Sequence, residues 1–359
     1  MPPISVTHAT GSYDVHVAPG VAAELGTRIT SVLPGHRLAL VTDETIRIKL
    51  SEAGLWPELD APVISIPAGE VAKNREVWGR VTDQLLELEF GRDSALVALG
   101  GGSVGDLTGF VAATYLRGIP FVQVPTTLLA MVDAAVGGKV GIDTTTGKNL
   151  IGAFHPPAIV LADPALLATL PERTYREGLA EALKHGVVAD AKYFEWIVAL
   201  ATALSARDLT TVAELVRRSV EIKAGVVSRD EHELGERAIL NAGHTIGHAL
   251  EQLSGYTLPH GEAVAIGLVW ESRIAERMGV AEPGLADQIE LALTELGLPT
   301  ASDQRPATSD LVAAMRSDKK NRSGRIRMSL VAKIGRAARK GEVWTVEVPE
   351  AVISEIAAS

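Results

Sequence analysis

The chain has 359 residues, 47% hydrophobic and 22% charged, which suits two domains with their own cores and excludes a disordered or low-complexity protein. A net charge of −10 argues against general nucleic-acid binding, which needs a basic face, yet leaves room for a small anionic substrate in a locally positive pocket. With no cysteine, disulfides and thiolate-bound metals are excluded, and the amino-terminal MPPISVTHATGSYDVHV lacks a signal peptide's basic start and apolar core, so a cytoplasmic protein is expected.

Residues 12–18 alternate in strand fashion, and residues 21–33 carry a helical pattern. A short apolar strand at 36–43 ends in an acid, Asp43. Another strand at 62–67 leads through Glu70, Lys73 and Asn74 into a helix reaching to residue 88. Residues 94–100 read as a buried strand, with a glycine-rich loop directly behind it. The uncharged run 118–132 is broken by Pro120 and Pro125 and is too short to cross a bilayer. Its strand at 121–124 runs into Pro125-Thr126-Thr127, and one more strand is expected at 158–163. Strands alternating with helices predict a Rossmann-like α/β domain, its parallel sheet carrying a site at the strands' carboxyl ends. Beyond residue 170 the pattern becomes mostly helical, with segments at 164–170, 174–185, 191–206, 208–227, 236–253 and 262–278. The expected domains are 1–170 and 171–359.

The loop Gly100-Gly101-Gly102-Ser103-Val104-Gly105-Asp106 fits G-x-G-x-x-G between a strand and a helix, where backbone N–H groups can approach a pyrophosphate. It follows a middle strand, and no acid lies about twenty residues downstream for a ribose. Asp43 could take that role instead. Dinucleotide binding and a tight turn or other phosphate site fit the loop equally. Further on, Asp133, Gly137-Gly138-Lys139 and Gly147-Lys148-Asn149 set an acid and two lysines among small residues. The spacing is not that of a Walker A loop, so nucleotide triphosphate hydrolysis is disfavoured, while a phosphate ester remains suited to those lysines.

In the helical half, residues 237–262 stand out. On one continuous helix Arg237, Asn241, His244 and His248 would form a single polar stripe, with His260 following on a loop. Two histidines one turn apart plus a third is a plausible metal geometry, although an H-E-x-x-H glutamate is absent. Glu181 and Lys184 share a face of an earlier helix, Lys223 sits in an otherwise apolar turn, and Lys319-Lys320 opens a basic cluster before a strand at 325–331. Each of these also has a bland reading as a surface ion pair, a snorkelling lysine or solvated charge. Residues 343–348 are expected to pair with that last strand.

Taken in order, Gly-Gly-Gly-Ser-Val-Gly-Asp106, Tyr-Leu-Arg117-Gly, Val-Pro-Thr-Thr127, Gly-Gly-Lys139, Gly-Lys-Asn149, Gly-Leu-Ala-Glu181, Asn241-Ala-Gly-His244-Thr-Ile-Gly-His248, His260-Gly-Glu-Ala-Val and Asp-Lys-Lys320 resemble the 3-dehydroquinate synthase family of sugar phosphate cyclases. The resemblance runs from Asp43 to Lys320. It implies an N-terminal NAD-binding α/β domain, a helical metal-binding domain and a homodimer. It further implies conversion of 3-deoxy-D-arabino-heptulosonate 7-phosphate to 3-dehydroquinate and phosphate, by transient oxidation, elimination, re-reduction and aldol closure. Metal ligands would be Glu181, His244 and His260, holding zinc or cobalt. NAD would meet Asp43, Glu70, Lys73, Gly101, Gly102, Asp106, Thr126, Thr127, Lys139 and Lys148. Substrate groups would meet Arg117 from the partner subunit, Asp133, Lys139, Asn149, Lys184, Lys223, Arg237, Asn241, His248 and Lys320 or its neighbour Lys319.

Some positions depart from the family pattern. Met131 stands where glutamine is common, Ala134-Ala135 where a serine pair is common, and Val140 where threonine is frequent; His155-Pro156-Pro157 also varies a commonly aromatic position. These put substrate choice in question, leaving 2-deoxy-scyllo-inosose or valiolone-type cyclases as alternatives, with a metal-dependent polyol dehydrogenase further off.

Overall fold

The alternating segments of the first half fold into one seven-stranded sheet. The computed structural model describes residues 2–302, 306–317 and 325–358. The sheet comprises β1 (Ile4–His8), β2 (Gly11–Val17), β3 (Arg37–Asp43), β4 (Val63–Ile66), β5 (Ser94–Gly100), β6 (Phe121–Pro125) and Ile159–Ala162. Between the last two, β7 (Lys139–Thr144) and β8 (Gly147–Phe154) form a separate antiparallel hairpin, so Ile159–Ala162 is β9. The order is β1-β2-β9-β6-β5-β3-β4, antiparallel only between β1 and β2. All seven residues of β5 are buried, which explains why it carries no polar–apolar alternation.

The sheet order accounts for a glycine-rich loop on a middle strand. From β3 the chain steps outward to β4, then returns to place β5 on the other side of β3. The connections leaving β3 and β5 therefore diverge, opening a crevice at their carboxyl ends, where open α/β sheets bind ligands. Helix α1 (Leu25–Val32) precedes β3. At that crevice Asp43 caps α2 (Glu44–Glu52) by accepting from Ile46 N at 2.9 Å. Asn74 caps α3 (Arg75–Glu87) in the same way through Val77 N. Val77, Val81 and Leu85 of α3 bury one face in a core shared with α4 (Gly102–Thr114) and the sheet.

The remaining helices are α5 (Glu172–Ala189), α6 (Ala191–Ala199), α7 (Ala201–Ser205), α8 (Leu209–Arg229), α9 (His244–Leu253), α10 (His260–Arg277), α11 (Leu285–Glu295), α12 (Thr308–Ser317) and α13 (Glu350–Ala358). Arg327–Met328 pairs with Val346–Glu347, matching the pairing expected for the last strands. The chain divides into two compact units, Met1–Tyr175 with Val212–Ser228, and Arg176–Thr211 with Arg229–Ser359. The division thus falls a few residues beyond 170, inside α5, and most of α8 groups with the α/β unit. An amphipathic pattern reveals that a helix has an apolar face but not which body that face packs on.

Two local expectations change. Residues 164–170 form a 3₁₀ helix, Pro164–Thr169, capped by Asp163. More consequentially, residues 236–253 are not one helix. A 3₁₀ turn, Glu236–Asn241, ends before Gly243, which adopts φ +80° and hands over to α9. Arg237 and Asn241 therefore lie on a different element from His244 and His248, and the single stripe does not exist. Helix propensity is blind to the cause, which is tertiary. A Cβ on Gly243 would lie 2.8 Å from both Leu268 Cγ and Val264 O, so the backbone bends where α10 comes closest.

Candidate active site

In the α/β unit, the glycine loop leaves β5 and opens α4 with Gly101 as its first cap. A Cβ on Gly100 would meet Val104 at 2.5 Å, and one on Gly105 would meet Gln123 Oε1 at 2.5 Å, so these two serve close packing. Gly101 and Gly102 leave the helix's first N–H groups bare of side chain, a cradle for a pyrophosphate that larger residues would fill. Thr126 N donates to Gly100 O at 2.9 Å, and Thr127 Oγ1 accepts from Ala130 N at 3.2 Å, holding the next strand's end beside the loop.

Below this cradle lies a buried cation. Lys73 is 3% exposed, and its Nζ donates to Asn149 Oδ1 at 2.6 Å, Asp106 Oδ2 at 2.8 Å and Glu70 Oε1 at 3.3 Å. Burial alone would lower its pKa, but the charges of Asp106 and Glu70 outweigh burial and raise it. Burial raises the pKa of Asp106 and of Asp43, whereas Glu70 falls because Lys73, Ser103 and Lys148 together overcome its burial. Asp143, which sequence reasoning missed, accepts from Asn149 N at 2.8 Å and holds that residue at φ +53°. Its only signal was an acid placed just ahead of a hairpin turn.

Two further expected residues of this unit meet directly. Ala130–Ala134 form a π-helical turn, and Lys223 of α8, 5% exposed, donates to both Asp133 O at 2.6 Å and Asp133 Oδ1 at 2.7 Å. Such bulges recur at functional sites because they turn a carbonyl out of the helix ladder. Lys139 is exposed at the start of β7. Arg117 is exposed too, with Leu116 and Arg117 both left-handed at φ +49° and +70°, a strain that bulky residues adopt only where something holds them.

In the helical unit, Glu181 and Lys184 of α5, His244 of α9 and His260 of α10 come together. Glu181 is buried and ion-paired with Lys184. His244 Nε2 and His260 Nε2 each lie 3.5 Å from Glu181 Oε1. Glycines make this convergence sterically possible. A Cβ on Gly261 would lie 2.3 Å from Glu177 Cα, one on Gly267 would lie 1.9 Å from Gly243 O, and one on Gly247 would lie 3.1 Å from Ala263 O. Helices α5, α9 and α10 therefore touch backbone to backbone around Glu181, His244 and His260.

The donor set can be tested by its own chemistry. His244 Nδ1 lies 3.2 Å from Ala242 O, and His260 Nδ1 lies 3.2 Å from Glu251 Oε2. Donating outward from Nδ1, each ring presents an Nε2 lone pair inward. One carboxylate and two imidazole lone pairs, all within 4.8 Å of one another, fit a divalent cation with positions left open. His244 is held well below its usual pKa, first by burial and then by Lys184. Burial would also lower His260, but its hydrogen bonds to Glu181 and Glu251 and their charges raise it to about 10.

His248 lies beside this group, its ring centroid 5.3 Å from His244 and 6.1 Å from His260. Glu251 joins His248 and His260 as a second grouping of ligand type, and sequence reasoning passed over it as an ordinary helix acid. Arg237 is buried and held by its neighbours, its N donating to Asp230 Oδ2 at 2.9 Å and its guanidinium to Glu231 O. Asn241 donates to Glu233. Asp230, also unforeseen, accepts from Leu234 N, Gly235 N and Arg237 N; these bonds override burial and lower its pKa. Lys319 and Lys320 lie outside the described residues.

The fold has solved counterparts. A 2-deoxy-scyllo-inosose synthase complexed with carbaglucose-6-phosphate, NAD+ and Co2+ matches with a TM-score of 0.89 at 23% identity, over 99% of each chain, and shows the shared fold. A 2-epi-5-epi-valiolone synthase from Streptomyces hygroscopicus subsp. jinggangensis 5008, with NAD+ and Zn2+ bound, matches with a TM-score of 0.84 at 30% identity, over 98% of this chain and 97% of that one. Family models for the 3-dehydroquinate synthase N-terminal and C-terminal regions match residues 63–177 and 178–321. A 3-dehydroquinate synthase of Paracoccus denitrificans (strain Pd 1222) is 44% identical over 336 residues, 91% of each chain. The chain belongs to the 3-dehydroquinate synthase family.

Proposed function

We propose that the protein converts 3-deoxy-D-arabino-heptulosonate 7-phosphate to 3-dehydroquinate and phosphate, as a carbon–oxygen lyase of the shikimate route. The observation that carries this reading is the convergence of Glu181, His244 and His260 in a chain whose two halves both match this family. These three residues would hold zinc or cobalt. Asp43, Glu70, Lys73, Gly101, Gly102, Asp106, Thr126, Thr127, Lys139 and Lys148 would surround NAD. NAD held there would supply a hydride acceptor, and later donor, for the substrate's C5, and the cation would supply a Lewis acid for the hydroxyl at that carbon.

The side chains have distinct tasks. Glu251 and the Ala242 carbonyl keep the hydrogens of His260 and His244 on Nδ1, so that both Nε2 atoms stay free to ligate. From the helical unit, Arg237, Asn241 and Lys184 would bind phosphate, carboxylate and hydroxyl oxygens by charge-assisted bonds that orient the reacting carbon. His248 would move a proton at its ring nitrogen beside them. From the α/β unit, Asp133, Lys139, Asn149 and Lys223 would meet substrate oxygens, with Lys223 holding Asp133 in place. A ketone formed at C5 acidifies the adjacent C–H, and the departing phosphate can accept that proton. No strong protein base is therefore required, in keeping with a site rich in cations and imidazoles.

Arg117 would act in a partner subunit of a homodimer, which suits its exposure and strained backbone. A cytoplasmic location fits a biosynthetic enzyme, and among the described residues no helix is long and apolar enough to cross a membrane.

The test is a substrate panel with NAD and Zn2+. The heptulosonate phosphate should release one phosphate per turnover without NADH build-up. Turnover of glucose 6-phosphate or sedoheptulose 7-phosphate instead would assign the chain to another cyclase, and NADH accumulation with a simple polyol would make it a dehydrogenase. Met131, Ala134, Ala135 and Val140, all in or near the π-turn and β7, are where such a difference in substrate would originate.

A further inference from the structure

Glu181, His244 and His260 meet only where α5, α9 and α10 arrive at one point, and α9 starts with an unusual dependence on its neighbour α10. Its first residue is His244, and Gly243 before it has no side chain with which to cap the helix. The cap comes from Glu271, which follows His260 by eleven residues on α10 and so lies on nearly the same face three turns on. Glu271 is 3% exposed. Its Oε2 accepts from Gly243 N at 2.8 Å, and its Oε1 accepts from Thr245 N at 2.9 Å and Ile246 N at 3.1 Å. These three bonds bracket His244 on both sides. Each is strengthened by the carboxylate charge and by the positive end of the helix dipole.

The clamp is reciprocal. Glu271 of α10 grips the beginning of α9, while Glu251 of α9 holds His260 at the beginning of α10. Between these two bonds Gly243, Gly247 and Gly267 bring the backbones into contact, so the helices run antiparallel with little freedom to part. Slippage along the contact is resisted at both ends by a carboxylate.

We propose that Glu271 is a positioning residue of the cation site. It touches neither cation nor substrate, and sets the His244 backbone against His260. The inference rests on the reading of Glu181, His244 and His260 as the ligands.

The experiment titrates Co2+ into metal-free protein, following the visible absorption of the bound ion and competing it with a chelator. Glu271→Ala should weaken Co2+ affinity about tenfold and change the absorption envelope, since outer-shell changes typically cost 10–100-fold. Glu271→Gln keeps one acceptor oxygen but turns an amide toward Gly243 N, so a smaller loss is expected, and this variant carries the test should Glu271→Ala fail to fold. Glu276→Ala is the control for helix capping alone. Glu276 Oε1 accepts from Ala286 N at 3.0 Å at the start of α11, which bears no site residue. Its loss should lower the melting temperature without altering Co2+ affinity or spectrum. Unchanged affinity in both Glu271 variants would overturn the inference, as would an equal loss in Glu276→Ala. Wild-type protein that takes up no Co2+ would instead sink the ligand reading, and the inference with it.

Discussion

The two polar clusters solve the same electrostatic problem in opposite ways. Around Lys73 the α/β unit gathers Glu70, Asp106 and Asp143, and supplies the positive charge from its own chain. Around Glu181 the helical unit pairs the carboxylate with Lys184 and adds two imidazoles, a donor set that would take a further positive charge only from an ion brought in. A built-in cation belongs to the fold and is present from the moment of folding. A borrowed cation belongs to the function and can be exchanged. The comparison therefore predicts that damage to the first cluster appears chiefly as lost stability, and damage to the second chiefly as lost metal and turnover.

The largest expected effect breaks the second cluster. His244→Ala should abolish metal binding and activity together, by more than the 10–100-fold of an outer-shell change. His248→Ala should keep full metal content while turnover falls about a hundredfold, the scale of a lost proton transfer. Metal analysis beside steady-state kinetics separates them, and equal loss of metal in both would overturn the ligand assignment.

The next strikes the first cluster. Lys73→Met leaves its carboxylates facing one another without their shared buried cation, and should cost about 3 kcal/mol in urea unfolding of the cofactor-free protein. His244→Ala in metal-free protein should cost far less. If the two were alike, the distinction between built-in and borrowed charge would fail.

Glu251→Gln sharpens the comparison further. It retains an oxygen for His260 Nδ1 but removes a charge, so metal affinity should fall about tenfold with little change in unfolding free energy.

The smallest effect is a count of protons. His260 has its pKa raised to about 10, against burial, by Glu181 and Glu251. In metal-free protein this proton contributes stability that is fully present below the unfolded value of about 6.5 and is lost as pH rises through about 10. Near pH 8, uptake of a divalent ion should release about one proton. Calorimetry in two buffers of different ionisation enthalpy counts it, and release of none would overturn this expectation.

How much of this was legible in the chain follows from the range of the forces involved. The strand ending at Asp43, the strand before Gly100 and the cradle residues Gly101 and Gly102 are readable because apolar runs and glycine punctuation are local signals. Glu181, His244 and His260 became a set only through their resemblance to a family, because spacing alone pairs His244 with His248. The break at Gly243 was not readable, since it is imposed by Leu268 and Val264. Asp143, Asp230 and Glu271 escaped for a related reason. Their partners are backbone N–H groups, which leave no trace in residue type.

That break at Gly243 has an evolutionary consequence. Had residues 236–253 formed one rod, any rotation that suited the ion would also have swung Arg237 and Asn241. With the rod interrupted, the loop 230–241 and the helix that begins at His244 have separate anchors, Asp230 for one and Glu271 for the other. Residues 230–241 can then change in sequence over generations without moving His244 against His260.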